Sequence, residues 1–484
     1  MEEGGYDVRR SRFFLFIIMA AFAAGLLFLL DGCGAENKQA EQPKKSSFPV
    51  IDEAYKLIQE NAVYQVEGDM LIEGALRGMA DVINDPYSTY LSKEEAASHR
   101  ESLAGERVGI GAEITRSNGK FIIVAPVKGS PAEKAGLLPY DEIVRINGER
   151  LEGLTLQDVV RLIRGKKGSS MTMTINRPEL TKHLEVTVVR EVIPVKTVSS
   201  EIMEERGETF GYIALTMFGD ESAKEWKTAT DDLIQKGAKG LIIDVRGNPG
   251  GYLRAVGSIA GSLLEDNTVY AYMQDAEGNL TPLVVEPSEE YDPKLKKLPI
   301  VLLQDKGSAS ASEVLSGALK DLRRGTITGT TSFGKGTVQD TMDLSNGGEM
   351  KLSTHKWLTP KEQWIHGAGV EADLKAEQNK LFTEHVRIVT DIYSPGNHHE
   401  DIAYAQRLLG GLGYQVDRTD GFFDESTAAA VQQFRKDGQL DAEDIMDRKF
   451  FSLLRERVED YRKDHSNDIQ LQMAIGYMHH VLTE

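Results

Sequence analysis

The stretch KLPIVLLQDKGSASASEVLSGALKDLRRG, Lys297 to Gly325, changes its pattern twice. Ile300 to Gln304 is a short apolar run bounded by turn residues, the mark of a strand buried on both faces. Asp305 to Ser310 is small and polar and ends that strand. Val314, Leu315, Ala318, Leu319 and Leu322 then lie on one side of a helix. The same alternation surrounds this stretch. FGYIALTMF (210–218) reads as a strand, AKEWKTATDDLIQKG (223–237) as a helix, KGLIIDVRG (239–247) as an apolar strand and YLRAVGSIAGSLL (252–264) as a helix. Such alternation predicts an α/β core with a largely parallel sheet covered by helices. Ligands at such sheets sit beyond the C-terminal ends of the strands. Gly247–Gly251 (GNPGG) and Asp305–Ser310 (DKGSAS) both fall there.

Four serines, at 308, 310, 312 and 316, crowd the turn and the helix start. Ser310 followed by Glu313 matches a capping box, which places Ser310 at the helix N-cap. An isolated S-x-x-E is ordinarily a structural device. At the C-terminal end of a buried strand, however, that hydroxyl faces an opening in the sheet, and the next N–H, that of Ala311, points where an oxyanion would form. A nucleophile also needs a base. None of the ten histidines lies between 184 and 354, and no G-x-S-x-G elbow surrounds Ser310, so a histidine triad requires a distant histidine to fold back. TITGTTSFGKGTVQD (326–340) offers another base. Lys335 lies between Gly334 and Gly336, whose bare backbones permit close approach. Lys335 and Gln339, four apart, share a face in either strand or helix. An exposed lysine is too basic to serve; desolvation lowers its pKa, at about 1.4 kcal/mol per tenfold change in protonation. A buried Lys335 could therefore deprotonate Ser310, with Gln339 orienting it. Gly329, Gly334 and Lys335 also reproduce the G-x-x-x-x-G-K of a phosphate-binding loop. Against a nucleotide hydrolase, Gly336 stands where the Mg²⁺-binding hydroxyl belongs, and TVQDTMDLSNGG reads as strand and turn where that motif needs a helix.

The chain has 484 residues, which calls for about three domains. A net charge of −19 would repel a phosphate backbone, and no basic patch offsets it, so nucleic acid is set aside as a partner. Arg9, Arg10 and Arg12 precede Phe13 to Leu30, which carries no charge and is long enough to span a hydrocarbon core, with the remainder outside the cytoplasm. A cleaved signal peptide, or a lipoprotein signal ending at Cys33, is the alternative. Cys33 is the only cysteine, so no intrachain disulfide forms. Residues 1–48 thus read as anchor or signal plus tether, and 49–104 as a helical segment whose apolar stripe is assigned first to core and second to a subunit contact.

Residues 105–192 have a different grammar. GIGAEI and KFIIVAPV read as strands, SPAEKAG as a short helix capped by Ser130, and EIVRINGERL as a hairpin turning at Asn147-Gly148. TLQDVVRLIRG reads as a helix capped by Thr155 with Asp158 three on, and SMTMTI as a strand. This order, with its GIGA loop, resembles a PDZ domain. The resemblance implies that backbone N–H groups of Gly109, Ile110, Gly111 and Ala112 receive a peptide's C-terminal carboxylate, the peptide pairing as an added strand. Residues 395–459, with LGY, DGFFDEST and AAVQQFRKDGQL, resemble the peptidoglycan-binding fold of cell-wall enzymes. The tail, 460–484, reads as one more helix without an assigned role.

Taken together, GSASASEVLSGALKD, TSFGKGTVQ, GLIIDVRGNPGG, NDPYSTYL (84–91) and HGAGVEAD (366–373) resemble the carboxyl-terminal processing proteases, PDZ-containing Ser/Lys endopeptidases. The resemblance covers roughly residues 50–375 and implies a protease core over 193–394. It makes Ser310 the nucleophile, Lys335 the base and Gln339 its partner, and puts the oxyanion donors on Ala311 and on Gly250 or Gly251. It calls for no metal or cofactor. Asp321, about three helical turns beyond Ser310, cannot reach it and is assigned a structural role. The expected protein is a multidomain α+β chain: a mixed-sheet protease core with an inserted PDZ domain, a helical N-terminal segment and a small helical C-terminal domain. It would act outside the cytoplasm on proteins with accessible C-termini, bind peptidoglycan and the membrane, and pair with a second copy through the N-terminal segment and the tail. The alternative is a catalytically inactive scaffold joining wall and client proteins.

Overall fold

The computed structural model describes residues 48–483 apart from 105, 118, 128, 179, 181, 195, 385 and 386. The expected membrane segment, 13–30, and Cys33 lie outside the described residues. Among those described, no helix is long and apolar enough to cross a membrane. The chain divides into two compact units, 1–78 and 79–484.

In the first unit the helix Pro49–Asn61 buries none of its residues. The next helix, Gly68–Asp81, buries only Ala80. The assignment of this apolar stripe to core is therefore corrected. Val63 and Tyr64 are 90% and 85% exposed, because two short helices have no third layer of their own to close over them.

The protease-core sheet runs in the order Val198–Glu205, Glu208–Leu215, Leu241–Asp244, Ile300–Gln304, Thr326–Gly329, Leu374–Lys375. Its first pair is antiparallel and all later pairs are parallel. Strand alternation sends Ile213, Leu241, Ile243, Leu302 and Ile327 to one face. There they pack against the helices Ser222–Gln235, Leu253–Leu263 and Ala311–Asp321. Phe210, Ile242, Val301 and Leu303 point to the other face, where Leu471, Ala474, Ile475 and Met478 of the helix Ile469–Thr483 cover them. The tail thus has a role that its pattern did not reveal. These four side chains are spent within the chain itself, the large ones contributing about 1.5–3 kcal/mol each by burial, while Ile469, Met473 and Val481 of the same helix stay exposed.

A second sheet of Thr89–Leu91, Glu349–Leu358, Val269–Gln274, Leu280–Val284 and Thr337–Asp343 stands beside the first. The strand Thr89–Leu91 pairs with Glu349–Lys351, so the expected helical segment 49–104 is interrupted by a strand of the core.

The PDZ module is a sheet ordered Ala112–Ser117, Lys120–Pro126, Glu142–Ile146, Ser170–Asn176, Leu184–Val189, with Ala112–Ser117 at its edge. Thr155 and Asp158 form the expected capping box. Asn147 and Gly148 both have positive φ, as a tight hairpin turn requires. In the C-terminal module Tyr404, Leu408, Phe434, Phe450 and Leu454 form a separate core. That core also takes in Leu381 and Val389, so the packed unit begins before residue 395. Its last helix, Arg448–Lys463, runs past 459.

Candidate active site

The helix that follows Ile300–Gln304 begins at Ala311, with Ser310 at its N-cap. Ser310 has φ +54° and ψ −114°, a conformation that costs a non-glycine residue about 1–3 kcal/mol and persists only where the surroundings dictate it. The expected capping box is present. Glu313 accepts the Ser310 N–H at 2.8 Å, and the Glu313 N–H also donates to the Ser310 carbonyl at 2.8 Å. No close side-chain cap bond ties up the hydroxyl. A sharp strand-to-helix turn that exposes a serine Oγ therefore exists here without the G-x-S-x-G signature.

Glu313 is the centre of the site. Its side chain is fully buried, and it accepts from Ser332 Oγ and Gly334 N at 2.6 Å each and from Lys335 N at 2.8 Å, besides Ser310 N. The Ser310 and Lys335 N–H groups meet the same oxygen, Oε2. The two backbone nitrogens consequently lie within two hydrogen-bond lengths of each other. Charge-assisted bonds of this kind are about twice as strong as neutral ones. Phe333 N–H adds a further tie, donating to the Ser308 carbonyl at 3.0 Å.

Lys335 is half-buried, and its ammonium stands 4.9 Å from the centre of the Tyr87 ring. Burial, helped by the positive charge of Lys351, lowers its pKa to about 8 against the opposing pull of Asp85 and Glu313. Gly334 and Gly336 flank it as expected. A side chain at 334 would meet the backbone of Gly367 at 3.0 Å, and one at 336 would meet Trp364 and His366 at 2.8 and 2.9 Å. Thr337–Asp343 follows as a strand, where a phosphate-binding loop would require a helix. Gln339 donates to Thr337 Oγ1 at 3.0 Å and to Ser353 Oγ at 2.9 Å, so its amide nitrogen is fixed by hydroxyls rather than by Lys335.

Asn248 joins the glycine turn to the serine turn. Its carbonyl accepts from Ala309 N and Ser312 Oγ at 3.0 Å, and its side-chain oxygen accepts the Gly250 N–H at 2.9 Å. A Cβ on Gly250 would lie 2.8 Å from Ser310 Cβ and 2.9 Å from Ala311 N. The Gly250 N–H is thus occupied, whereas those of Ala311 and Gly251 meet no acceptor among the described residues.

Sequence reasoning assigned no role to Tyr87, Asp85, Lys351 or Asn248, and it saw Glu313 only as a cap. A distant histidine does fold back: His366 Nδ1 accepts from Gly336 N at 3.4 Å and its ring stacks on Trp364, without a bond to Ser310. Asp321 holds Lys361 through the latter's backbone N–H at 3.1 Å, a structural contact.

In the PDZ module the Ile110 and Gly111 carbonyls both turn inward, accepting from Ala132 N and from Val127 N at 2.8 Å each. Gly111 permits this with φ +69°.

The profile of peptidase family S41 matches residues 209–376, that of a PDZ domain 122–177, that of the activating protease CtpB N-terminal domain 30–95 and that of a peptidoglycan binding domain 398–454. Carboxy-terminal processing protease CtpB of Bacillus subtilis is 39% identical over 95% of this chain and 98% of its own. CtpA of the same organism is 33% identical over 96% and 97%. Among solved structures, a photosystem II D1 C-terminal processing protease is 27% identical over 68% of this chain and 92% of its own, with a TM-score of 0.43. With near full-length similarity to two such enzymes, the chain belongs to peptidase family S41, among the carboxy-terminal processing serine proteases.

Proposed function

We propose that this protein is an extracytoplasmic endopeptidase working through a Ser310/Lys335 dyad. The observation that carries the reading is the shared Glu313 carboxylate, which ties the backbones of both residues to one point while Lys335 sits half-buried. Ser310 Oγ attacks the substrate carbonyl and passes its proton to neutral Lys335 Nζ. The oxyanion is received by the Ala311 N–H, aided by the helix terminus, and by Gly251, the glycine whose N–H is uncommitted. Lys335 then returns the proton to the leaving amine, and a water deacylates Ser310 with Lys335 again as base. Gln339, held by Thr337 and Ser353, is assigned to orienting the lysine.

The inward carbonyls of Ile110 and Gly111 leave their N–H groups, with those of Gly109 and Ala112, to receive a C-terminal carboxylate. The substrate tail would add to the edge strand Ala112–Ser117, and its arrival gates cleavage. The C-terminal module holds the enzyme to peptidoglycan, and residues 13–30 or a lipid on Cys33 hold it at the membrane. The uncovered face of Pro49–Asn61 pairs with a second copy. Ser310→Ala and Lys335→Ala are each expected to abolish cleavage of an unfolded protein substrate while leaving the fold intact. Unimpaired cleavage by either variant would end the dyad mechanism, and an inactive wild type would favour the scaffold.

A further inference from the structure

The C-terminal helix does more than cover a sheet face. Asp468 caps its first turn, accepting from Leu471 N at 2.9 Å, and is 5% exposed. The same carboxylate receives Arg246 in bidentate fashion, Nη1 to Oδ1 at 2.9 Å and Nη2 to Oδ2 at 2.8 Å. Gln470, also buried, accepts from Arg246 Nη1 at 3.2 Å and donates to the Ala376 carbonyl at 2.9 Å. Gln378 donates to Asp468 at 2.6 Å. On its other edge the guanidinium meets Asp244, at 2.6 Å from Nη2 and 3.0 Å from Nε, and Asp244 in turn accepts from Tyr212. An arginine held in this way on both edges has little freedom to move.

Arg246 is also the residue between two anchors of the catalytic turn. Val245 before it accepts Ser308 Oγ at 2.7 Å, and Gly247 after it donates to Asp305 at 2.8 Å. Asn248, Gly250 and Gly251 follow directly. A guanidinium clamped from the tail side therefore sets where the glycine turn stands against Ser310. Burial opposes the charge of Asp468, yet the Arg246 guanidinium keeps its carboxyl below the usual range, so the clamp stays ionised at neutral pH.

We infer that Asp468, just before the helix Ile469–Thr483, is a positioning residue for the oxyanion turn that acts on the transition state through Arg246. The inference rests on the Ser310/Lys335 reading. Its experiment compares the full-length wild type, Ser310→Ala, Asp468→Asn and Ile475→Ala. Asp468→Asn keeps the cap and the shape but removes the charge. Ile475→Ala loosens the same helix on the sheet without touching the clamp. The readouts are kcat and KM on one unfolded protein substrate, with thermal midpoints for every variant.

Asp468→Asn is expected to lower kcat about tenfold or more with KM within twofold, the pattern of an interaction realised in the transition state. Ile475→Ala is expected to lower the midpoint while leaving kcat below that midpoint unchanged. An unchanged kcat in Asp468→Asn, a change confined to KM, or an equal fall of kcat in Ile475→Ala would overturn the inference while leaving the dyad in place. Residual cleavage by Ser310→Ala would instead remove the dyad reading itself.

Discussion

Raising the pH from 6 to 10 should switch the enzyme on through Lys335. An ordinary lysine titrates near 10.5 and is neutral in only about one molecule in 3,000 at pH 7. With a pKa of about 8, Lys335 is neutral in roughly one molecule in ten, about 300 times more often. In the proposed dyad only the neutral amine accepts the serine proton, so kcat/KM should rise about tenfold per pH unit below 7, reach half its maximum near pH 8 and level off above 9. Stability moves with it. The folded-state pKa lies below the unfolded one, so between about pH 8 and 10.5 the unfolded chain binds more protons and stability rises with pH. Below pH 8 the full cost of burying the charge is present, roughly 2–3 kcal/mol after allowing for partial exposure. Lys335→Met should therefore abolish cleavage and also raise the unfolding midpoint at pH 7. The assay is cleavage of a fluorogenic peptide across the pH range, beside denaturant melts of both proteins. A half-maximum near 6.5 would transfer the base to a histidine. A profile still climbing at pH 10 would show an unperturbed lysine and refute the reasoning.

Two neighbours should move that profile in opposite senses. Lys351→Met removes a positive charge that lowers the Lys335 pKa and should shift the half-maximum to higher pH, whereas Asp85→Asn removes a charge that raises it and should shift it to lower pH; the same titration reads both. Gly250→Ala places a methyl against Ser310 and Ala311 at a φ of +100°, and should cost at least a hundredfold in kcat and about 1–3 kcal/mol in stability. Kinetics at saturating substrate and thermal melts would check it. Glu313→Gln leaves donors facing a group with one acceptor oxygen, and should destabilise by about 3 kcal/mol while silencing the enzyme; a variant of normal activity would remove Glu313 from its central place. Gly111→Ala drives a Cβ to 2.4 Å from that of Ser130. It should abolish binding of a C-terminal peptide in a calorimeter while Ser310 stays reactive to a fluorophosphonate.

The α/β alternation was legible because strands buried on both faces read as apolar runs, and the runs around Leu241 and Ile300 do. The PDZ caps and hairpin were legible because Thr155, Asp158 and Asn147-Gly148 carry their geometry locally. Ser310 and Lys335 were singled out by position and family resemblance, but what joins them was hidden. Glu313 reads as a helix cap from its spacing alone, and only the fold brings Ser332 and Gly334 to one of its oxygens and Lys335 to the other, the one that also holds the Ser310 N–H. Tyr87, Asp85 and Lys351 reach the lysine from chain segments far from it in sequence, where no periodicity signals the approach. The helix Ile469–Thr483 has apolar residues around much of its circumference, so its pattern did not say which sheet it covers. The stripe of Pro49–Asn61 misled in the other direction, since periodicity reports that a face is apolar and not what meets it.

Glu313 has a consequence for what a preparation of this enzyme contains. Because one carboxylate fastens the backbones of Ser310 and Lys335, the proposed nucleophile and base, an opened loop at 332–335 would disarm both together. Molecules are then either competent or silent, with few slow ones between. Heating, ageing or partial denaturation should lower specific activity by reducing the number of active sites counted by a covalent titrant, while the turnover of each remaining site stays constant.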